Sequence, residues 1–242
     1  MRYGIFCDVH GNLEALQAVV ADLLQESIDV YLCCGDIIGY GANPRECIKA
    51  IRGLCGVSIG GNHDRAAVAL FSTTHFNPAA AEAILWTGKI LSQAERAYLS
   101  SLDLVFCNQD LTLAHGTLHQ SEHFYYMVDR YAAAKTFAVL AGSVCFVGHS
   151  HIAGVFIQDQ RGTITYEASV CLRLKRNYRY IVNCGSVGQP RDGNPDAAYC
   201  IYDTATAHVS VKRVAYDRST ARQKIIASGL PDALGDRLLF GR

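Results

Sequence analysis

The sequence predicts an α/β fold in which two stacked sheets carry helices on their outer faces. Three observations predict it. The N-terminal part, as far as Ile59, alternates short apolar runs with helical spacing in a β-α-β-α-β order, which favours parallel strands joined by right-handed crossovers. From Leu104 onward the chain breaks into short strand-like runs separated by turn residues. Half the residues are apolar and 18% are charged, enough material for a large core and too little charge for a disordered chain.

Taken in order, Tyr3 to Cys7 reads as a strand, and Leu13, Leu16, Val20 and Leu23 then recur at helical spacing behind Asn12 as N-cap. Val30 to Cys34 repeats the strand pattern. Asn43, Pro44 and Glu46 read as an N-cap, a first-turn proline and the acid of a capping box, opening a helix that runs to about Arg52. Val57 to Ile59 is a third strand. Between His63 and Ser101, Ala-rich composition and the spacing of Ala83, Ile84, Trp86, Ile90 and Leu91 predict helices. Strands follow at 104–106, 111–114, 144–147, 155–157, 164–166, 180–183, 198–202 and 209–214, with helices at 132–140 and 220–227. No repeat or Pro/Ser-rich linker marks a boundary, so a single domain over 1–242 is expected.

Charge excludes several function classes. Lys plus Arg and Asp plus Glu both number 22, leaving no basic excess for non-specific nucleic-acid binding. No apolar stretch approaches the length of a membrane span, and Met1 to Gly11 has no cationic run followed by an apolar one, so a cytoplasmic protein is expected. The ten cysteines are scattered without a Cys-x-x-Cys pair; they read as buried reduced thiols on strands and exclude a zinc ribbon.

The histidines carry the chemistry. Asp8-Val9-His10, Gly35-Asp36, Gly60-Gly61-Asn62-His63-Asp64, Ala114-His115-Gly116 and Gly148-His149-Ser150-His151 each follow a predicted strand. Each is common by chance, but strand ends that share an edge bring distant residues together, and ligands bind outside carboxyl strand ends. The clusters supply Asp8, His10, Asp36, Asn62, His115, His149 and His151. Carboxylate, amide and imidazole without cysteine suit divalent transition metals rather than a calcium cage or a structural zinc site. In Asp8-x-His10 and His149-x-His151, β-type alternation is expected to put both side chains on one side. Seven ligands exceed one open tetrahedral site and fit two ions bridged by Asp36, about 3.5–4 Å apart, a pair suited to activating water and clamping a phosphoester. His63 is left over as general acid, with Asp64 expected to orient it. Phe124, Tyr125 and Tyr126 read as core or cap packing, and 117–127 as the segment shaping the substrate mouth.

Asp8-x-His10, Gly35-Asp36-x-x-Gly39, Gly61-Asn62-His63-Asp64, His115 and Gly148-His149-x-His151 resemble the motif set of the calcineurin-like metallophosphoesterases. Gly35 to Gly41 and Gly185 to Asp192 are similar to stretches of the bacterial branch related to diadenosine tetraphosphatases and serine/threonine protein phosphatases. The resemblance implies a four-layer αββα sandwich of mostly mixed sheets and two divalent ions, manganese, iron, zinc, cobalt or nickel. It implies Asp8, His10, Asp36 and His151 around one ion, and Asp36, Asn62, His115 and His149 around the other, with His63 as proton donor and Asn62 and His63 on the phosphoryl oxygens. Cys184 and Thr117-Leu118 depart from the branch at positions that are not ligands. Tyr40 and Arg191 are candidates to bind substrate; Arg191 reads equally as the partner of Asp192 or Asp196. The expected reaction is hydrolysis of a small-molecule phosphodiester or phosphomonoester. Dinucleoside polyphosphate hydrolysis, phosphoprotein dephosphorylation and a non-catalytic scaffold are the alternatives.

Overall fold

A computed structural model describes residues 1–242. The first half contains β1 (Arg2–Phe6), α1 (Leu13–Leu23), β2 (Val30–Cys33), α2 (Pro44–Leu54), β3 (Val57–Ser58), α3 (Asn62–Ala67), α4 (Pro78–Ile90), α5 (Gln93–Ser101), β4 (Val105–Cys107) and β5 (Thr112–Ala114). The second half adds α6 (Arg130–Val139), β6 (Val144–Val147), β7 (Gly154–Gln158), β8 (Ile164–Glu167), β9 (Cys171–Arg173) and β10 (Arg179–Asn183). It closes with β11 (Ala197–Asp203), β12 (His208–Val214), α7 (Arg218–Ala227) and α8 (Asp232–Asp236). The short strand β9 and the terminal helix α8 had no legible pattern in the sequence. No helix is long and apolar enough to cross a membrane.

Two mixed six-stranded sheets result, ordered β3-β2-β1-β11-β12-β9 and β4-β5-β6-β10-β7-β8. Period-two alternation stacks them. In β1 and the residue after it, Ile5 and Cys7 pack between the sheets while Phe6 faces the helices; around β2, Leu32 and Cys34 face inward and Cys33 outward. Phe6 and Cys33 meet Leu16, Val19 and Leu23 of α1 and Ile48 and Ile51 of α2, so one outer layer is built on that face. In β6, Val144 and Phe146 fill the inter-sheet core, while Cys145 and Val147 turn outward onto Ala133 and Phe137 of α6. Seven of the ten cysteines are buried, three on strands, three directly after a strand and Cys47 on α2, while Cys107 and Cys171 are exposed strand residues.

Strand direction positions the site. β1, β2 and β3 are mutually parallel, and so are β5, β6 and β10. Their carboxyl ends therefore gather at one edge of each sheet, as expected for ligand-bearing α/β edges. Local signals mostly match. Asn12 caps α1, its Oδ1 accepting from the Ala15 amide at 3.1 Å, although Val19 rather than Val20 is the residue that buries. The capping box expected at Asn43 and Glu46 does not form: Asn43 makes no side-chain cap bond, and Pro44 alone starts α2. The box lies instead at Ser92/Glu95, where the Glu95 carboxylate accepts from the Ser92 amide at 2.7 Å and Ser92 Oγ from the Glu95 amide at 3.3 Å; at Gly61, which has no side chain, only the Asp64 half forms.

Candidate metal centre

All seven predicted ligands meet at the shared edge, and each is at most 6% exposed. Asp8 and His10 follow β1, Asp36 follows β2, Asn62 opens α3 after β3, His115 follows β5, and His149 and His151 follow β6. The chelating pairs do not arise from β-type alternation. Asp8, His10, His149 and His151 hold φ of 55°, 51°, 65° and 60°, so the chain coils through left-handed residues at both pairs. Asp36 is left-handed as well, at 52°.

Backbone partners aim the ligand atoms. His10 Nδ1 lies 3.3 Å from the Ile38 carbonyl, His115 Nδ1 2.9 Å from the Cys34 carbonyl, and His151 Nδ1 2.6 Å from the Gln189 carbonyl. A carbonyl only accepts, so each Nδ1 carries a proton and each Nε2 faces the centre, offering a lone pair whenever its ring is neutral. There Nε2 of His10 and Nε2 of His151 stand 3.0 Å apart, and His115 Nε2 stands 3.2 Å from Asn62 Oδ1.

The carboxylates are divided in the same way. Asp8 Oδ2 accepts from the His149 amide at 2.9 Å and from the Cys7 thiol at 2.7 Å, while Asp8 Oδ1 has no hydrogen-bond partner. Asp36 Oδ1 accepts from the His63 amide at 2.8 Å, while Asp36 Oδ2 has none. The free Asp36 Oδ2 lies 3.2 Å from His115 Nε2 and 3.6 Å from His10 Nε2; the free Asp8 Oδ1 lies 3.3 Å from His151 Nε2. Lone pairs crowd together in a buried pocket, an arrangement that costs free energy unless cations or protons lie among them. The donor set fits divalent transition metals. Asp8, His10 and His151 form one group of convergent ligand atoms, and Asp36, His115 and His149 another.

Titration follows from these contacts. Burial pulls His149 down to about 3 and His151 down to about 4, so both stay neutral and ligand-ready. Burial also acts on His115, but Asp36 and Asp8 outweigh it and hold its proton up to about pH 9. Burial raises the Asp8 and Asp36 carboxyls, and the surrounding imidazoles overcome it, keeping both below the usual carboxylate range.

His63 lies over the same edge, buried, with its ring 4.7 Å from His10, 4.6 Å from Tyr40 and 4.9 Å from Phe76, and with Nδ1 unpartnered. Burial pushes its imidazolium well down, with Asp36 opposing. The expected Asp64 support for this ring is corrected by the structure. Asp64 Oδ1 accepts from the amides of Ile37 and Ile38 at 2.9 and 3.2 Å, and Oδ2 from the Gly61 amide at 3.0 Å. As the third residue of α3 it points back to the helix start, binding the β2 and β3 loops together, and burial together with Asp36 raises it to about 7.

Arg191 pairs with neither neighbouring acid: Asp192 takes Arg213 and Asp196 takes Arg218. Its Nη2 donates to Tyr40 Oη at 3.1 Å and to Gln189 Oε1 at 2.9 Å, which sets it at the rim beside His10 and His63. Phe124 is buried as expected, but Tyr125 and Tyr126 are half exposed, and Tyr126 stacks on the His149 ring at 4.0 Å. Tyr125 and Tyr126 are therefore not core residues, because the loop ends at the candidate-ligand edge rather than over the core. Sequence reasoning missed the Cys7 thiol on Asp8 and the support from Asn183, whose Nδ2 donates to the Gly148 carbonyl and Ser150 Oγ at 2.8 and 2.9 Å. Asn183 ends a strand like the other site residues, a signal that could have found it.

Residues 1–207 match the sequence profile of the calcineurin-like phosphoesterase superfamily domain. An uncharacterized protein of Methanocaldococcus jannaschii is 38% identical over 98% of this chain and 97% of its own. The crystal structure of a metallophosphoesterase from Sphaerobacter thermophilus is 35% identical, with a TM-score of 0.89 over 100% of this chain and 99% of that one. A hypothetical protein from Pyrococcus horikoshii OT3 shares the fold at 18% identity, with a TM-score of 0.80 over 100% and 98% of the two chains.

Proposed function

The chain belongs to the calcineurin-like phosphoesterase superfamily, and from that premise we propose that it is a dinuclear metal-dependent hydrolase of phosphodiesters or phosphomonoesters. The observation that carries this reading is the free Asp36 Oδ2, buried without a partner between Nε2 of His10 and Nε2 of His115. One oxygen facing both ligand groups supports a bridge. Asp8, His10, Asp36 and His151 would hold one ion, and Asp36, Asn62, His115 and His149 the other; manganese, iron, zinc, cobalt and nickel all suit these donors. When bound, the ions would supply Lewis-acid activation of water and positive charge for the phosphoryl oxygens.

The chain's own groups do the rest. Asn62 and His63, adjacent at the start of α3, orient the phosphoryl group, and His63 gives a proton to the leaving oxygen. Burial holds the free His63 neutral; the negative charge of a bound phosphoester favours the imidazolium, so the ring takes up its proton from solvent as substrate binds. Tyr40 packs on both His10 and His63 and fixes their rings; Arg191 adds positive charge at the rim.

The test is chelation, dialysis and reconstitution with each of the five metals singly, against monoesters, diesters, cyclic nucleotides, dinucleoside polyphosphates and a phosphopeptide. Hydrolysis of mono- or diesters should vanish on chelation and return with manganese or a similar ion. Hydrolysis that survives chelation would overturn the proposal.

A further inference from the structure

Beside the ligands opens a cavity of about 420 Å³, within the range of small-molecule sites. Aromatic rings surround it. Phe76 lies 4.9 Å from His63, Phe71 lies 6.4 Å from Phe76 and 5.1 Å edge-on from Phe124, and Phe124 lies 5.9 Å from His115. Tyr126, on His149, and Tyr125 complete the lining, each about half exposed (51% and 52%). The rim is built at a conformational cost. Gln120 and Phe124 flank a single 3-10 turn at Ser121–His123, and both hold a left-handed φ of 51°, a conformation that a bulky aromatic residue seldom adopts. That turn sets Phe124 into the cavity wall.

We propose that this cavity is the subsite for a planar aromatic ester arm, a nucleobase or aryl ring joined to a single phosphoryl group at the ligand cluster. The inference rests on the phosphoesterase reading and narrows its substrate class. Rings offered edge and face to one space favour a flat π-system over a saturated chain. No Lys or Arg lines the cavity, whose polar residues are His, Asn and the tyrosine hydroxyls. Arg191 stands only at the rim, on Tyr40 Oη, so a second or third phosphate inside the cavity would meet no cation, which disfavours polyphosphate chains.

The test uses manganese-loaded protein and arms matched in leaving-group chemistry. Methyl phosphodiesters of benzyl alcohol, cyclohexylmethanol and thymidine 5′-hydroxyl compare an aryl ring, a saturated ring and a nucleoside, and calorimetry with benzylphosphonate and cyclohexylmethylphosphonate reads binding without turnover. Aromatic arms should be favoured about tenfold over the saturated ring in both readouts. Tyr125→Ala and Phe71→Leu, with circular dichroism and metal content as folding controls, should bring that ratio close to one. Thymidine exceeding benzyl identifies the arm as a nucleobase; parity identifies a general aryl site. Hydrolysis without ring preference, or a ratio that both variants leave intact, overturns the subsite. Ring preference in binding without hydrolysis of any ester upholds the subsite and overturns the phosphoesterase reading instead.

Discussion

Asp8, His10, Asp36, His149 and His151 all hold a left-handed backbone, a strain of about 1 kcal/mol or more at each position that persists only where the surroundings over-determine it. Asp and His tolerate this region better than most residues, so the ligand types and the geometry they need coincide. Two of these residues carry predictions. Asp36→Asn should deplete both ions together, weakening metal affinity by more than about tenfold, and elemental analysis showing one ion retained would contradict the bridge. His63→Ala should leave metal content near wild type and lower kcat by about a hundredfold or more for esters with poor leaving groups; a change confined to KM would count against proton donation. His115 gives a pH signature to the metal-free protein. Folded, it keeps its proton to about pH 9, whereas the unfolded chain releases it near 6.5, so its stabilising contribution is complete below pH 6.5 and is lost as pH rises to 9. The Tm of chelated protein should fall across that window, and that of metal-loaded protein, where His115 is a ligand, should not.

At the scale of elements, α3 does most to assemble the site. Its N-terminus supplies Asn62 and His63, its first turn offers the His63 amide to Asp36, and Asp64 ties it to the loop after β2. This close approach requires Gly61 to lack a side chain, because a Cβ there would collide with the Asp36 carboxylate and backbone nitrogen. Gly61→Ala should therefore displace the carboxylate. Metal content and activity should drop sharply while the circular dichroism spectrum keeps its native shape, and a fully loaded, active variant would refute the role. The same element marks the limit of local reading. The Gly-Asn-His-Asp sequence exposes the candidate ligand and acid, but two of the three amides that bond Asp64, those of Ile37 and Ile38, lie across the fold and leave no trace in the residues beside it.

Across the whole molecule, the candidate ligands come from both sheets: Asp8, His10, Asp36 and Asn62 from the first, His115, His149 and His151 from the second. Cations held between the two edges would lock the layers together, and binding to the native state alone raises stability by mass action. Metal removal should lower Tm by several degrees beyond any loss of activity, and readdition should restore it; an unchanged melting curve would mean that the edges are held without the ions.

Composition, strand alternation and the order of the five polar clusters determined the layered fold, the donor types and the edge where they gather, because apolar periodicity and chain direction are local properties. Tertiary structure decided which atom of each donor faces the centre. His115 is turned by a carbonyl 81 residues away, and His151 by one 38 residues away. It also decided that Phe71 and Phe76 join Tyr125 and Tyr126 in one aromatic wall, since side-chain direction depends on contacts between segments that only folding brings together.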